Sequence, residues 1–213
     1  MKQRSIWYLA IAETLVWAGM FYSFPALILR WEMDLGWSKA ELSGTFTMAL
    51  IVSALAAPLA GYLIDRGFGR TVLIGSALVG GLTVAALGVI EQYWLFLSAW
   101  LLLGLAMAGC LYEPCFAFVT HTRGSEAKRS IMLITLVAGF AGTVAFPTAN
   151  IVAEFAGWRG STNTFAALIL FVAVPLFLMG TASGKKYEKP VNDDLESAQH
   201  SSLKEVIARF EHS

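Results

Sequence analysis

The sequence predicts an all-α membrane protein with six transmembrane helices, and three observations lead to this prediction. Hydrophobic residues make up 57% of the 213-residue chain and charged residues only 14%, with a mean hydropathy of +0.64. This composition does not suit a surface that faces water, so the expected solvent is lipid. Six stretches have the length and apolar character of membrane spans, and lysines and arginines concentrate in alternate connections between them.

The six predicted spans follow from the thickness of a bilayer. A helix needs about 20 mainly apolar residues to cross roughly 30 Å of hydrocarbon, because each residue rises about 1.5 Å and lipid satisfies no backbone polar group. The stretches that meet this length define a bundle within residues 1–184: residues 6–29, 43–64, 72–90, 94–119, 131–153 and 161–182. Aromatic residues near their ends are expected to act as interfacial anchors: Trp7, Tyr8, Trp31, Trp37, Tyr93, Trp94 and Trp158.

The positive charges predict the direction of the spans. With the N-terminus inside, twelve of the fifteen lysines and arginines lie on the inner side: Lys2, Arg4, Arg66, Arg70, Arg123, Lys128, Arg129, Lys185, Lys186, Lys189, Lys204 and Arg209. Only Arg30, Lys39 and Arg159 lie outside. Cytoplasmic connections collect positive charge, so both termini are predicted in the cytoplasm, with six spans favoured over five or seven. The expected location is the cell membrane, which is the inner membrane if the source is a Gram-negative bacterium.

A change of composition after Gly184 predicts that residues 185–213 lie outside the membrane. Residues 185–202 are polar, as expected of a solvated cytoplasmic linker. Apolar residues then recur at i, i+3, i+4 and i+7, which predicts a short amphipathic helix: Leu203, Val206, Ile207 and Phe210. A frayed tail with chance spacing is the alternative, because so short a helix is marginal in water.

The connection between the second and third spans carries a motif, Gly-Tyr-Leu-Ile-Asp-Arg-Gly-Phe-Gly-Arg over residues 61–70. Gly61 is expected to permit a close helix contact, and Asp65 to pair with a basic residue or face a helix N-terminus. Gly69 belongs to a tight turn, while Arg66 and Arg70 hold the connection inside. The motif resembles the signature of the major facilitator superfamily, Gly-x-Leu-x-Asp-Arg followed by glycine and basic residues. An ordinary basic inner loop is the alternative.

Further residues extend the resemblance over nearly the whole membrane portion. Superfamily-like patterns occur at Gly104 to Gly109, Tyr112-Glu113-Pro114 and Gly157-Trp158-Arg159. Other positions look most like the monocarboxylate and oxalate/formate branch: Phe24-Pro25, Gly36-Trp37-Ser38, Gly139, Gly142 and Pro147. The chain departs from the family at Trp100, where many members carry an arginine.

The resemblance implies one half of a twelve-helix fold, built from two three-helix repeats. It also implies a secondary active transporter that works by alternating access on a small solute, with a monocarboxylate or other organic anion as the candidate. The motif connection then gates the conformational change. The chain is expected to be a truncated product or a half-transporter that pairs with a second six-helix half or forms a homodimer. A non-transporting membrane regulator or assembly protein built on the same bundle is the alternative.

Two carboxylates at membrane depth are candidates for the solute pathway or for proton coupling. Carboxylates there are expensive and usually face the bundle interior, and the resemblance places the helices of Glu13 and Glu113 along the central cavity. The alternatives are a hydrogen bond to a neighbouring helix or a position near the inner headgroups. Further candidates are Trp17, Met20 and Phe24, which follow Glu13 at helical spacing, together with Tyr112 and Asn150. Helix packing or helix-to-helix hydrogen bonding is the alternative for all five.

Other function classes find little support in the sequence. The three histidines lie outside the spans without metal-ligand spacing, and neither a Gly-x-Ser-x-Gly sequence nor a phosphate-binding glycine loop occurs. No catalytic residue, metal or cofactor is therefore predicted, and the net charge of zero gives no reason to expect a nucleic-acid partner. The expected partners are a small solute, a proton and the lipid bilayer. Cys110 and Cys115 are expected to be buried apolar residues.

Overall fold

The computed structural model describes residues 3–182, and this part of the chain is helical almost throughout, without a strand. The predicted cytoplasmic linker and amphipathic helix of residues 185–213 lie outside the described residues. The α-helices of the described part are α1 (Gln3–Val16), α2 (Ser23–Leu35), α3 (Lys39–Leu63), α4 (Gly69–Leu87), α5 (Tyr93–Cys110), α6 (Tyr112–Arg123), α7 (Ala127–Ala138), α8 (Ala141–Leu168) and α9 (Val174–Thr181). The predicted all-α class is confirmed for these residues.

Short irregular helical segments join several of these helices. π-Helical segments at Trp17–Tyr22, Ile64–Phe68 and Ile169–Ala173 link α1 to α2, α3 to α4 and α8 to α9, and a 3-10 turn at Gly124–Glu126 precedes α7. Three runs of successive helical segments result, Gln3–Leu35, Lys39–Leu87 and Tyr93–Thr181, and the second and third are kinked at Gly67 and Gly157 respectively. Each is long and apolar enough to cross a membrane, which agrees with the predicted membrane protein.

Four glycines with positive φ break the helical path. The φ angles are 72° at Gly36, 90° at Gly67, 51° at Gly124 and 66° at Gly157. A side chain with a Cβ rarely adopts such angles, so glycine is the residue that allows the chain to leave a helix at these points. Each of the four lies in a different predicted connection between spans. The remaining predicted connection, the third along the chain, corresponds to the gap between α4 and α5.

The start of α3 is fixed by a reciprocal cap. The Glu41 backbone N–H donates to Ser38 Oγ at 3.2 Å, and the Ser38 backbone N–H donates to Glu41 Oε2 at 2.9 Å. Two backbone N–H groups that lack intrahelical partners are thereby satisfied. The Ser38 hydroxyl donates to the same carboxylate at 2.7 Å, and these bonds hold the pKa of Glu41 below its usual range.

Close helix packing in the bundle depends on small residues. α5 packs against both α3 and α4, whereas α1 packs against α7 and α9. A Cβ at Gly104 of α5 would fall on the carbonyl oxygen of Ala49 in α3, and one at Gly109 would fall on the Ser76 hydroxyl of α4. Glycines at these two sites therefore let the helix backbones approach closely.

A cluster of aromatic side chains fills the core where α2, α3, α5 and α8 meet. Trp100 has no exposed surface and lies edge-on to Phe24, with 4.9 Å between ring centroids. Trp31 and Trp158 are each 1% exposed, and their centroids are 6.4 Å apart. The expectation that Trp31 and Trp158 anchor the protein at the interface is therefore wrong, because both are core residues. Trp94 is 74% exposed, as an anchor would be.

Candidate solute and proton site

Glu13 lies near the end of α1 with its side chain completely buried. Neither carboxyl oxygen has a hydrogen-bond partner among residues 3–182. The Cys115 thiol and the Trp17 indole are its polar neighbours, but neither reaches hydrogen-bond geometry, and Glu113 contributes a second acidic group nearby. An ionised carboxylate without partners is very costly to bury, whereas a protonated one costs far less. Burial of the protonated carboxyl group of Glu13 therefore costs much less free energy than burial of its ionised form.

The chain immediately after α1 forms the π-helical segment Trp17–Tyr22. Such segments frequently occur at functional sites, and their i→i+5 bonding rotates the residues that follow. The residues that follow Glu13 at helical spacing on the first span consequently do not lie along one face. Trp17 stays near Glu13, whereas the Met20 thioether points inward and accepts from the Cys110 thiol at 3.8 Å. Phe24 stacks on Phe46 with centroids 4.4 Å apart, within the aromatic core.

Tyr112 faces Trp17 from the other side of the site. The two ring centroids are 4.6 Å apart, and Tyr112 stacks on Phe116 at 5.1 Å. Phe21 extends this surface from the π-helical segment, 5.1 Å from Trp17. Six half-buried rings form what we call the aromatic wall: Trp17, Phe21, Tyr22, Phe46, Tyr112 and Phe116.

The bend between α5 and α6 positions Tyr112 and Glu113. Leu111 leaves the helical region with φ of −87° and ψ of −158°, so the predicted fourth span is not a single straight helix. Pro114 accounts for the interruption, because it lacks a backbone N–H and its ring clashes with the preceding turn. Glu113 is exposed, unlike Glu13.

Cys110 and Cys115 are buried and free, as the sequence predicts.

Asn150 lies apart from Glu13 and the aromatic wall. Its side chain is exposed and lines a separate cavity of about 380 Å³ with Arg30, Asp34 and Trp158. The structure thus brings Glu13, Trp17 and Tyr112 together with Glu113 nearby. Met20 and Phe24 are buried in the adjoining core, and Asn150 lies apart.

The motif segment of residues 61–70 runs from the end of α3 to the start of α4 and contacts the end of α6. Asp65 Oδ1 lies 2.9 Å from His121 Nε2, and the Arg66 guanidinium lies over the Tyr62 ring at 4.3 Å from its centroid. Asp65 was expected to pair with a basic residue, but His121 was not identified as that residue. Arg70 is exposed.

Two motif glycines differ in their packing. A Cβ at Gly69 would lie 2.9 Å from Phe118 Cδ2, so this glycine permits close contact with α6. At Gly61 a Cβ would meet nothing within 4 Å. The close helix contact expected at Gly61 is therefore absent among residues 3–182, and Gly69 makes such a contact instead.

Comparison with known proteins assigns the family. The family model of the Major Facilitator Superfamily matches residues 9–211. The chain belongs to the major facilitator superfamily. Members of this superfamily are membrane transporters.

Two curated relatives carry the same description. The chain is 26% identical over 133 residues to "Multidrug resistance protein MdtH" of Aeromonas hydrophila subsp. hydrophila, and equally to the protein of that description from Aeromonas salmonicida. The matched segment is 62% of this chain and 33% of each relative, so it spans about a third of their length. Resemblance to the monocarboxylate branch of the superfamily stays a prediction.

Proposed function

We propose that the chain forms one six-helix half of a secondary transporter that moves a small solute by alternating access, with Glu13 as the proton-binding group. The observation that carries this proposal is a fully buried carboxyl group without a hydrogen-bond partner, next to a half-buried aromatic surface. Intramembrane carboxyl groups in such positions are typical of proton relays. Proton release would leave an unpaired buried charge, so it favours a rearrangement that admits water to Glu13.

Two side-chain contacts between predicted connections support six crossings. Asp65 and His121 lie in the second and fourth predicted connections and meet at 2.9 Å, so these connections share one membrane border. Glu91 and Arg159 lie in the third and fifth connections and meet at 2.7 Å. The second connection thus meets the fourth and the third meets the fifth, as an arrangement of six antiparallel spans requires. We assign residues 1–184 to this bundle. The charge distribution supports cytoplasmic termini.

Sidedness is testable with single cysteines at exposed positions. Lys39→Cys and Arg159→Cys should react with a membrane-impermeant maleimide added outside intact cells. Arg66→Cys and Lys128→Cys should react only after permeabilisation, and the buried native cysteines provide a low background. Equal labelling of all four variants in intact cells would contradict the topology.

The solute class best supported by the site is a small amphipathic molecule with an aromatic or apolar face. The aromatic wall offers stacking surface, and Glu13 offers a negative charge or a hydrogen bond but no positive charge. The two relatives described as multidrug resistance proteins agree with such a solute. An organic anion, the candidate suggested by Phe24-Pro25 and Gly36-Trp37-Ser38, is the second proposal. Its carboxylate would need a cation from outside this site, because Arg30, near the predicted outer end of the first span, lines the separate cavity with Asn150.

Flux measurements separate these proposals. Proteoliposomes that contain the full chain and its copurifying partner should be loaded in parallel with a cationic aromatic dye and with radiolabelled short monocarboxylates. We expect dye movement that follows an imposed pH gradient, whereas monocarboxylate movement alone would support the second solute class. Movement of neither solute, with a second six-helix half supplied, would favour the non-transporting regulator and contradict the proposal.

The second half is proposed to come from another six-helix unit or from a second copy of this chain. Alternating access requires two bundles that move against each other around a central site. Cross-linking in native membranes tests this point, because a homodimer gives a product of twice the chain mass and another subunit gives a different mass.

A further inference from the structure

An apolar cleft opens between α3 and α4. Both helices pack on α5 but make few contacts with each other. Between them lies a cavity of about 270 Å³ whose floor is α5. Small residues keep it open, including Ala60 of α3, Gly75 of α4 and Ala108 of α5. A Cβ at Gly75 would meet nothing within 4 Å, so the space beside it is empty of protein.

Positive charge collects at one end of this cleft. Leu63 and Thr71 line that end, and the segment between them carries Arg66 and Arg70. Asp65 in the same segment is already bound to His121. Neither arginine forms an ion pair within the part of the chain that the structure describes. The apolar cleft therefore ends, at a predicted membrane border, beside Arg70 and beside Arg66, whose guanidinium lies over the Tyr62 ring. No carboxylate among residues 3–182 neutralises either of them.

We propose that the cleft binds an anionic phospholipid, with an acyl chain between α3 and α4 and the phosphate group on Arg66 and Arg70. The mostly apolar lining disfavours water, so hydrocarbon is the suitable filler at membrane depth. Guanidinium groups form charge-assisted hydrogen bonds with phosphate oxygens, and basic pockets between transmembrane helices bind anionic headgroups. Charge complementarity at the end of the cleft therefore selects an anionic lipid over a zwitterionic one.

The bound lipid would act on the motif segment of the transporter. The segment Ile64–Phe68 is held on one side by the pair of Asp65 with His121. A phosphate group on Arg66 and Arg70 would hold the other side. The proposal depends on membrane insertion and not on the identity of the solute, so it can fail while the proposed transport function stands.

Lipid binding by the purified full chain tests the proposal. Native mass spectrometry should titrate the chain with phosphatidylglycerol and with phosphatidylcholine of identical acyl chains. We expect preferential binding of one phosphatidylglycerol. Arg66→Gln and Arg70→Gln should each weaken this binding about fivefold and the double variant about thirtyfold, because a basic residue at a membrane surface contributes about 1 kcal/mol and tenfold corresponds to about 1.4 kcal/mol.

Two matched controls make the test specific. Gly75→Leu fills the cleft and should reduce binding of the lipid, whereas Gly44→Leu on α3, where a Cβ also meets nothing within 4 Å, should not. Arg129→Gln removes an exposed charge on the same predicted side but away from the cleft, and binding should persist. Equal binding of the two lipids would overturn the proposal. Full phosphatidylglycerol binding by the double arginine variant would overturn it too, as would equal losses with Arg129→Gln.

Discussion

Replacing Gly104 with alanine tests the packing that holds the bundle together. A Cβ at Gly104 would fall on the carbonyl oxygen of Ala49 and lie 2.9 Å from its carbonyl carbon and 3.1 Å from its Cα. All three atoms belong to the α3 backbone, which cannot rotate away as a side chain can. α3 and α5 must therefore separate. Overpacking of this kind costs about 1–3 kcal/mol, and we expect a loss near 3 kcal/mol because the whole helix has to move.

The assay is unfolding of the purified chain by increasing sodium dodecyl sulfate in mixed micelles, followed by circular dichroism. The matched control is Gly44→Ala on α3, where a Cβ meets nothing within 4 Å. This control should be neutral or up to about 1 kcal/mol more stable, since alanine favours the helix over glycine. Gly104→Ala with a free energy of unfolding equal to that of Gly44→Ala would refute the packing at this interface.

Two further predictions concern the membrane borders. Asp65→Asn should leave insertion largely intact but reduce transport, because it removes the charge that faces His121 in the motif segment; loss of inserted protein without a specific flux defect would contradict this. Ser38→Ala removes the hydroxyl that caps α3 and should cost about 1 kcal/mol. The hydrogen bonds from Ser38 to the Glu41 carboxylate lower the pKa of Glu41. Their contribution to stability is therefore present above the ordinary carboxyl pKa of about 4 and is lost as the pH falls below it. Acid pH should therefore lower the free energy of unfolding of the wild type more than that of Ser38→Ala. Equal pH dependence of the two proteins would argue against the cap.

The sequence predicts the helical class and the approximate helix ends, since both follow from local properties. Gly36, Gly67, Gly124 and Gly157 occur where the chain leaves its helices, and glycine is the natural residue there. The Ser38 cap is likewise a local pattern. Helix ends depend on neighbours in sequence, so they are accessible before any tertiary contact is known.

Tertiary contacts account for the features that sequence reasoning missed. In a helix that is apolar on all sides, periodicity does not reveal a π-helical segment, so the shift after Trp17 was not expected. Tryptophan suits both a membrane border and a protein core, and therefore Trp31 and Trp158 were assigned to the wrong environment. His121 meets Asp65 across 56 residues, and no local signal identifies that pair.

The aromatic wall was predicted only in part. The sequence points to Trp17 because it follows Glu13 at helical spacing, and to Tyr112 because it offers a polar group within a span. The other four rings were missed, because phenylalanine and tyrosine are common throughout apolar helices and carry no distinguishing pattern: Phe21, Tyr22, Phe46 and Phe116. Only the fold brings these rings to one surface.

The proton dependence of transport by a Glu13→Gln variant tests the central claim most directly. Vesicles of native membrane, which contain the chain with whatever partner it uses, should be given an inward or outward pH gradient while solute flux is followed. We predict that flux of the wild type and of Glu113→Gln responds to the gradient, whereas flux of Glu13→Gln does not, although the variant is inserted in equal amount. Unchanged pH dependence of the Glu13→Gln flux would contradict the assignment of Glu13 as the proton-binding group.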